Sequence, residues 1–193
     1  VENYEEVLQM GNSTEVSKMQ ARSQSIWKII EDNKDLLKPP VNNTVLWQDS
    51  QFLVMLVGGP NARREFHVSP SDEIFYQVKG SCYVEIINDE NKREVIEVKE
   101  GEMFVLPGNV PHSPHRVADT YGMVIEYKRK EGELEDLVWL CEKCDHELHR
   151  VTLQVTNIGQ QIAEGIAHFN ATEELRTCER CSHVMSETVE EWK

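Results

Sequence analysis

Between Thr44 and Lys128 the apolar residues come in short runs broken by turn formers: VLWQ, QFLVMLVGG, EIFYQVKG, CYVEIIND, REVIEVKEG, MFVLPG and YGMVIEYK. Several alternate with period two and are rich in Val, Ile, Phe and Tyr, as a pleated strand with one buried face requires. Asn88-Asp89-Glu90-Asn91 marks a hairpin tip, and Gly58-Gly59-Pro60-Asn61 a tight loop. No helical period separates these runs, so they predict a mainly β fold, a sandwich or a barrel. On either side the period lengthens. Val16, Met19, Ser23, Ile26, Trp27 and Ile30 predict a helix from Val16 to about Leu37, stopped by Lys38-Pro39-Pro40, with Met19 and Trp27 docking on a sheet. Ile158, Ile162, Ile166 and Phe169 predict a second helix within Asn157 to Phe169. The chain thus divides into an N-terminal extension, 1–15, expected to be poorly ordered; a β-barrel with its N-terminal helix, 16–135; and a C-terminal segment, 136–193.

Composition narrows the class of partner. With 193 residues the chain can bury a full core, and its 39% hydrophobic and 28% charged content is ordinary for a globular protein. No apolar run approaches the roughly 18 residues of a membrane span. The opening VENYEEVLQMGNS is acidic, unlike a signal peptide, so a cytoplasmic home is the default reading. The net charge of −14 is spread along the chain, which argues against nucleic acid or an anionic membrane as partner. An anionic substrate would have to be captured by a few local arginines against that field.

The five cysteines separate into one and four. Cys82 lies in the alternating run SCYVEII and reads as a buried, inert thiol. Cys141-x2-Cys144 and Cys178-x2-Cys181 stand 33 residues apart, in two pieces that echo each other as C-E-K/R-C-x-H. Two residues between cysteines let one tight loop aim both thiolates at a single ion, and two such loops make a tetrahedral four-sulfur site suited to zinc or a single iron. A cytoplasmic chain disfavours the competing disulfides, and no βαβ unit surrounds the pairs to suggest a redox motif. Four thiolates leave no open coordination position, so the site is expected to be structural. His146 and His183 then read as neighbours of the site or as surface groups.

A second constellation is more informative. His67-x5-Glu73 opens the strand EIFYQVKG, and about 30 residues later Gly101 to His112 ends in Pro-Gly-x3-His. Alone, a histidine at a strand end is usually structural. At this spacing two imidazoles and a carboxylate can converge at the mouth of a barrel, leaving about three positions open on an octahedral Fe(II), the facial triad of non-heme oxygenases.

At these residues the chain resembles the cupin superfamily. His67, Glu73 and Gly80 fit the first cupin motif, with Ser69 in place of its second histidine and Asn61 in place of its leading glycine. Gly101, Pro107 and His112 fit the second, with Gly108 displaced by one and Arg116 in place of its asparagine. LLKPPVNN, VGGPNARREFH, EIFYQVKGS, LPGNVPHSPHR and VIEYKR, followed by the paired C-x-x-C segments, resemble the 3-hydroxyanthranilate 3,4-dioxygenase family. Within it they are similar to the fungal and bacterial type with a rubredoxin-like C-terminal metal site. The resemblance runs from about Ser23 to Cys181. It implies a cupin (jelly-roll) barrel, a homodimer, and a catalytic Fe(II) held by His67, Glu73 and His112, with a second iron or zinc at the cysteines.

The activity it implies is ring opening of 3-hydroxyanthranilate by O2, giving 2-amino-3-carboxymuconate semialdehyde, which closes to quinolinate on the route from tryptophan to NAD. Arg116 would pair with the substrate carboxylate, Arg63 would stand beside O2, and Glu126, with Glu73, would meet the chelating hydroxyl and amine. Asn43, Phe75 and Pro114 would line the pocket. Alternation along a strand would turn only one of Arg63 and Arg64 inward, and the resemblance favours Arg63. The chain departs from the family in VSPSD, between His67 and Glu73, and in YKRKEG after Glu126, where an Arg-Pro pair is common. The alternatives are a dioxygenase for another substituted aminophenol, a metal-dependent isomerase or storage-type cupin, and a ligand-binding sensor.

Overall fold

A computed structural model describes residues 21–39, 42–156 and 158–191. The proposed extension, Val16 and Met19 lie outside the described residues. The first described helix, α1, spans Ile26–Asp32 and is shorter than its apolar period predicts. Ser25, in extended conformation, caps it by accepting a hydrogen bond from the Lys28 N–H, and Ser23 lies outside it. Ile29 and Ile30 are buried, but Trp27 is 56% exposed and belongs to no apolar cluster among the described residues, contrary to expectation.

Among the described residues eleven strands follow: β1 Asn43–Leu46, β2 Phe52–Gly58, β3 Phe66–Val68, β4 Glu73–Lys79, β5 Cys82–Ile87, β6 Arg93–Val98, β7 Met103–Leu106, β8 His112–Arg116, β9 Tyr121–Tyr127, β10 Glu135–Leu140 and β11 Glu147–Leu153. Then come α2, Ile158–Ala171, and α3, Glu173–Arg176. The strands form two antiparallel sheets, ordered β1-β2-β9-β4-β7 and β11-β10-β3-β8-β5-β6. This is the mainly β, two-sheet architecture expected from the sequence. The hairpin tip falls between β5 and β6, with Asn91 at φ 57°.

Three apolar clusters hold the layers. Between the sheets pack Met55, Phe75, Cys82, Val84, Val98, Leu106 and Val124. On the outer face of the first sheet, Ile29, Ile30 and Leu37 cover Leu46, Val54 and Leu56. The strand β2 is therefore buried on both faces, which is why QFLVMLVGG reads as a continuous apolar run. The chain after α1 crosses so close to β2 that a Cβ on Gly58 would sit 2.0 Å from the Leu37 carbonyl oxygen, leaving room only for glycine. The third cluster, Leu137, Trp139, Phe169 and Met185, joins β10 to the C-terminal segment, with Trp139 and Phe169 stacked at 4.8 Å.

Four strands, β3, β8, β10 and β11, lie outside the runs read from the sequence. Both β3 and β8 are short, and β8 (HSPHR) is polar at nearly every position yet mostly buried. The strand β10 is hydrogen-bonded to β3 on one side and to β11 on the other, so the cysteine-bearing segment grows out of the barrel's own sheet.

The buried hydrophobic contacts predict that Leu56→Ala costs about 2–5 kcal/mol in denaturant unfolding, while Trp27→Ala changes stability by no more than about 0.5 kcal/mol. Glu85 bonds to Arg93 and His115, and Arg93 also bonds to Asp145 in the first cysteine loop. Burial pushes the Glu85 carboxyl up, but these partners outweigh it and hold the group below its ordinary value. A depressed folded-state pKa contributes stability at neutral pH that is lost as pH falls through the folded value. Acidification below about pH 4.5 is therefore expected to destabilise the wild type more steeply than Glu85→Gln, as melting temperature against pH would reveal.

Candidate functional site

The two sheets contribute opposite halves of one site. In the second sheet, β3 and β8 place His67 directly opposite His112. In the first, β4 and β9 place Glu73 opposite Glu126. All four side chains are buried. Ligand atoms of His67, Glu73 and His112 lie within 4.8 Å of one another.

Hydrogen bonding decides which ring nitrogens face the centre. His112 Nδ1 lies 3.1 Å from the Val110 carbonyl, which only accepts, so Nδ1 carries the proton and Nε2 presents its lone pair 3.5 Å from Glu73 Oε1. His67 Nε2 donates to Glu135 Oε2 at 2.6 Å, leaving Nδ1 free, 3.8 Å from the same Glu73 oxygen. That oxygen is buried and accepts no hydrogen bond. An orphaned carboxylate oxygen facing two imidazole lone pairs is what a divalent cation satisfies, and outer partners such as Glu135 and the Val110 carbonyl commonly orient such ligands.

The charges are set by burial and by neighbours. Burial lowers His67, keeping its imidazole neutral as a ligand must be. Glu126 is pushed up to about 8 by burial and by Glu73, with Arg129 pulling the other way. Burial would also raise Glu135, but hydrogen bonds from His67 and Arg129 hold it below the ordinary carboxylate range.

The pocket above these ligands is lined by Asn43, Arg63, Phe75, Pro114, Arg116 and Glu126, with Met55, Val57 and Val124 giving it apolar walls. Gly159 and Ile162 of α2 close one side. Arg116 is buried, and its guanidinium donates to Gln77 Oε1 at 3.1 Å. Its backbone N–H donates to Asn61 Oδ1 at 2.6 Å, while Asn61 Nδ2 donates to the Pro114 carbonyl. Gly122 gives the guanidinium its space, since a Cβ there would come within 2.5 Å of Arg116 Nη1. Arg63 lies 2.8 Å from the buried carboxylate of Glu65. Arg64 turns instead to the C-terminal segment, donating to the carbonyls of Ser186 and Thr188. Neither arginine is on a strand, because both precede β3; the loop, not strand alternation, separates them. Asn61, Glu65, Gln77, Gly122 and Glu135 were not singled out as site residues from the sequence. The departure of Asn61 from the cupin glycine was the one available signal.

The four cysteine sulfurs gather at the far end of β10. Cys141 and Cys181 stand 3.6 Å apart, as do Cys144 and Cys178. Thiolates placed tetrahedrally at about 2.3 Å from one ion would stand about 3.8 Å apart, and a disulfide needs about 2.0 Å. The sequence echo is a repeated turn. Cys141 N–H donates to the His146 carbonyl and Cys178 N–H to the His183 carbonyl, both at 2.8 Å, and Asp145 and Ser182 take equivalent positive φ angles. The imidazoles reach across to the opposite loop, His146 to Glu179 and His183 toward Glu142. The thiols are coupled: burial opposes ionisation of Cys178, but the N–H groups of Cys181 and Arg180 draw it down, while contacts with the neighbouring sulfurs push Cys144 up, so without an ion one thiolate is favoured over its neighbours.

Residues 19–170 match the family model described as 3-hydroxyanthranilic acid dioxygenase. A 3-hydroxyanthranilate 3,4-dioxygenase of Bacillus cereus is 61% identical over 89% of this chain and 96% of its own length. The enzymes of that name from Neurospora crassa and Candida albicans are 44% and 42% identical, over 80% and 84% of this chain and 84% and 94% of their own. A solved cupin-2 domain protein from Shewanella frigidimarina shares 22% identity over 51% of this chain and 92% of its own, with a TM-score of 0.42, too weak a match to bear on the site. No described helix is long and apolar enough to cross a membrane. A relative matching nearly end to end at 61% identity, together with a family model spanning the barrel and α2, places this chain in the 3-hydroxyanthranilic acid dioxygenase family.

Proposed function

We propose that this chain is an Fe(II)-dependent 3-hydroxyanthranilate 3,4-dioxygenase, consuming 3-hydroxyanthranilate and O2 and releasing 2-amino-3-carboxymuconate semialdehyde, the precursor of quinolinate. The observation that carries the reading is a buried His67/Glu73/His112 set opening on the same pocket as the buried guanidinium of Arg116. Iron bound by those three side chains would supply open positions for the substrate's hydroxyl and amine and for O2, and a route for electrons from ring to O2.

The remaining groups bind and orient. Arg116, held by Gln77 and by the Gly122 gap, presents a planar fork to the ring carboxylate, supplying locally the positive charge that the net −14 of the chain withholds. Phe75, Pro114 and the apolar walls hold the ring in place and exclude water, with Asn43 also lining the pocket. Glu126 accepts a hydrogen bond or proton from the chelating hydroxyl or amine as the ring is activated. Arg63, braced by Glu65, offers donors to the negative charge that develops on oxygen. The four cysteines hold a second iron or zinc in a structural role. The reading includes a homodimer in the cytoplasm, as expected for this family type.

Anaerobic loading with Fe(II), addition of 3-hydroxyanthranilate and admission of O2 should give O2 uptake and the ultraviolet band of a ring-opened product. Absence of both from iron-loaded protein rejects the assignment. Arg116→Lys keeps the charge but loses the fork. A charge-assisted hydrogen bond contributes about 1.5–3 kcal/mol, so kcat/KM should fall about 10- to 100-fold, mostly through KM. Cys178→Ser should release one equivalent of metal and lower the melting temperature while barrel iron stays bound; metal analysis beside calorimetry separates the two sites.

A further inference from the structure

The link between β9 and β10 carries a buried cation that the reaction as outlined leaves unused. Arg129 follows β9 by two residues. The chain then turns back, with the Glu133 N–H on the Lys130 carbonyl, the Lys130 N–H on the Glu133 carboxylate and Gly132 at φ +84°. That turn returns Glu135, the first residue of β10, to the Arg129 side chain. Nε and Nη2 of Arg129 donate to the two oxygens of Glu135, the latter at 3.1 Å. Nη2 also lies 2.8 Å from Glu126 Oε2. Glu135 Oε2 is the atom that accepts the proton of His67 Nε2. An unbroken polar chain therefore runs from Glu126 through Arg129 and Glu135 to His67.

A stabilising role alone accounts poorly for this chain. The Arg129 side chain is only 7% exposed, and those of Glu126 and Glu135 only 1%. Burying such ions costs several kcal/mol each, and apolar side chains of similar volume often do as well for stability. Charge balance gives a second reason. Glu73, Glu126 and Glu135 bring three carboxyl groups to one buried region, and the guanidinium of Arg129 supplies the opposite charge beside two of them. Geometry gives a third reason: the planar fork contacts both carboxylates at once, one on each half of the site.

We propose that Arg129 is a positioning residue shared by both halves of the active site. Through Glu135 it fixes the His67 ring with Nδ1 toward the metal, and directly it holds Glu126 where the substrate's hydroxyl and amine arrive. Metal binding and substrate binding thus depend on one side chain that touches neither ligand. The substrate half of this inference rests on the dioxygenase reading; the metal half does not.

Co(II) tests the metal half without catalysis, because its visible absorption reports binding directly. Full-length protein with zinc already in the four-cysteine site is titrated with Co(II) as wild type, Arg129→Gln, Arg129→Lys, Glu135→Gln and Glu126→Gln. The same proteins, saturated with Fe(II), are assayed for KM with 3-hydroxyanthranilate. Loss of an outer partner typically weakens metal binding about 10- to 100-fold, and Arg129→Gln is expected to raise the Co(II) Kd by that factor and to raise KM as well. Glu135→Gln should raise the Co(II) Kd by a similar factor and raise KM less than Arg129→Gln does at saturating iron. Glu126→Gln should alter KM or kcat and leave the Co(II) Kd unchanged. Arg129→Lys, charged but unforked, should recover part of each loss; it carries the test if Arg129→Gln does not fold. Folded Arg129 variants that keep the wild-type Co(II) Kd, or lose metal affinity with KM unchanged, overturn the shared role and leave a structural ion pair. A wild type that binds Co(II) yet opens no ring rejects the assigned reaction, while the Co(II) constants still decide whether Arg129 and Glu135 position His67.

Discussion

Two cross-strand pairings govern the rest of the molecule: His67 opposite His112 in one sheet and Glu73 opposite Glu126 in the other. Each puts a pair of polar side chains on an inward face, where solvent cannot screen them. Isolated ions in such a place are costly, so every one needs a partner. Val110 and Glu135 partner the imidazoles and Arg129 partners Glu126 and Glu135, while the Glu73 oxygen, buried without a hydrogen bond, is left for a cation. The apolar cluster between the sheets provides the rigid frame that holds these groups close enough to act as one site.

The same economy of elements joins the barrel to the cysteine site. Both β3 and β10 lie side by side, so His67 and Leu137 are paired across one ladder while the other end of β10 leads directly into Cys141. Arg93, bonded to Glu85 and Asp145, and Arg64, bonded to Ser186 and Thr188, tie the cysteine loops and the tail to the barrel wall. The helix α2 runs between the cysteine pairs and lends Gly159 and Ile162 to the pocket.

Where burial has a simple period, the sequence was readable. The runs that became β2, β4, β5, β6, β7 and β9 alternate or stay apolar because their faces pack against sheet or helix. The strand β8 escaped because His112, Ser113, His115 and Arg116 are buried polar residues, and nothing local distinguishes them from a loop. Trp27 misled in the opposite direction: a large apolar side chain at helical spacing suggests docking, yet neighbouring Ile29 and Ile30 take the packing face. The fourth strand from the end, β8, is also where a proline, Pro114, replaces a ladder donor and Asn61 supplies compensating contacts from outside the sheet.

By itself the sequence determined which atoms can bind metal, because ligand chemistry is carried by residue type and loop spacing: two C-x-x-C pairs, and a histidine six residues before a glutamate. It also determined the β class, since turn residues and period-two runs are local. Only the tertiary structure decided how those ligands are supported. Glu65, Gln77, Gly122, Arg129 and Glu135 are ordinary in their sequence surroundings, and most glutamates and arginines in such settings face water. Their meaning comes from long-range packing, which turns them inward onto Arg63, Arg116, Glu126 and His67, where the absence of solvent makes each contact strong and each unpaired charge costly.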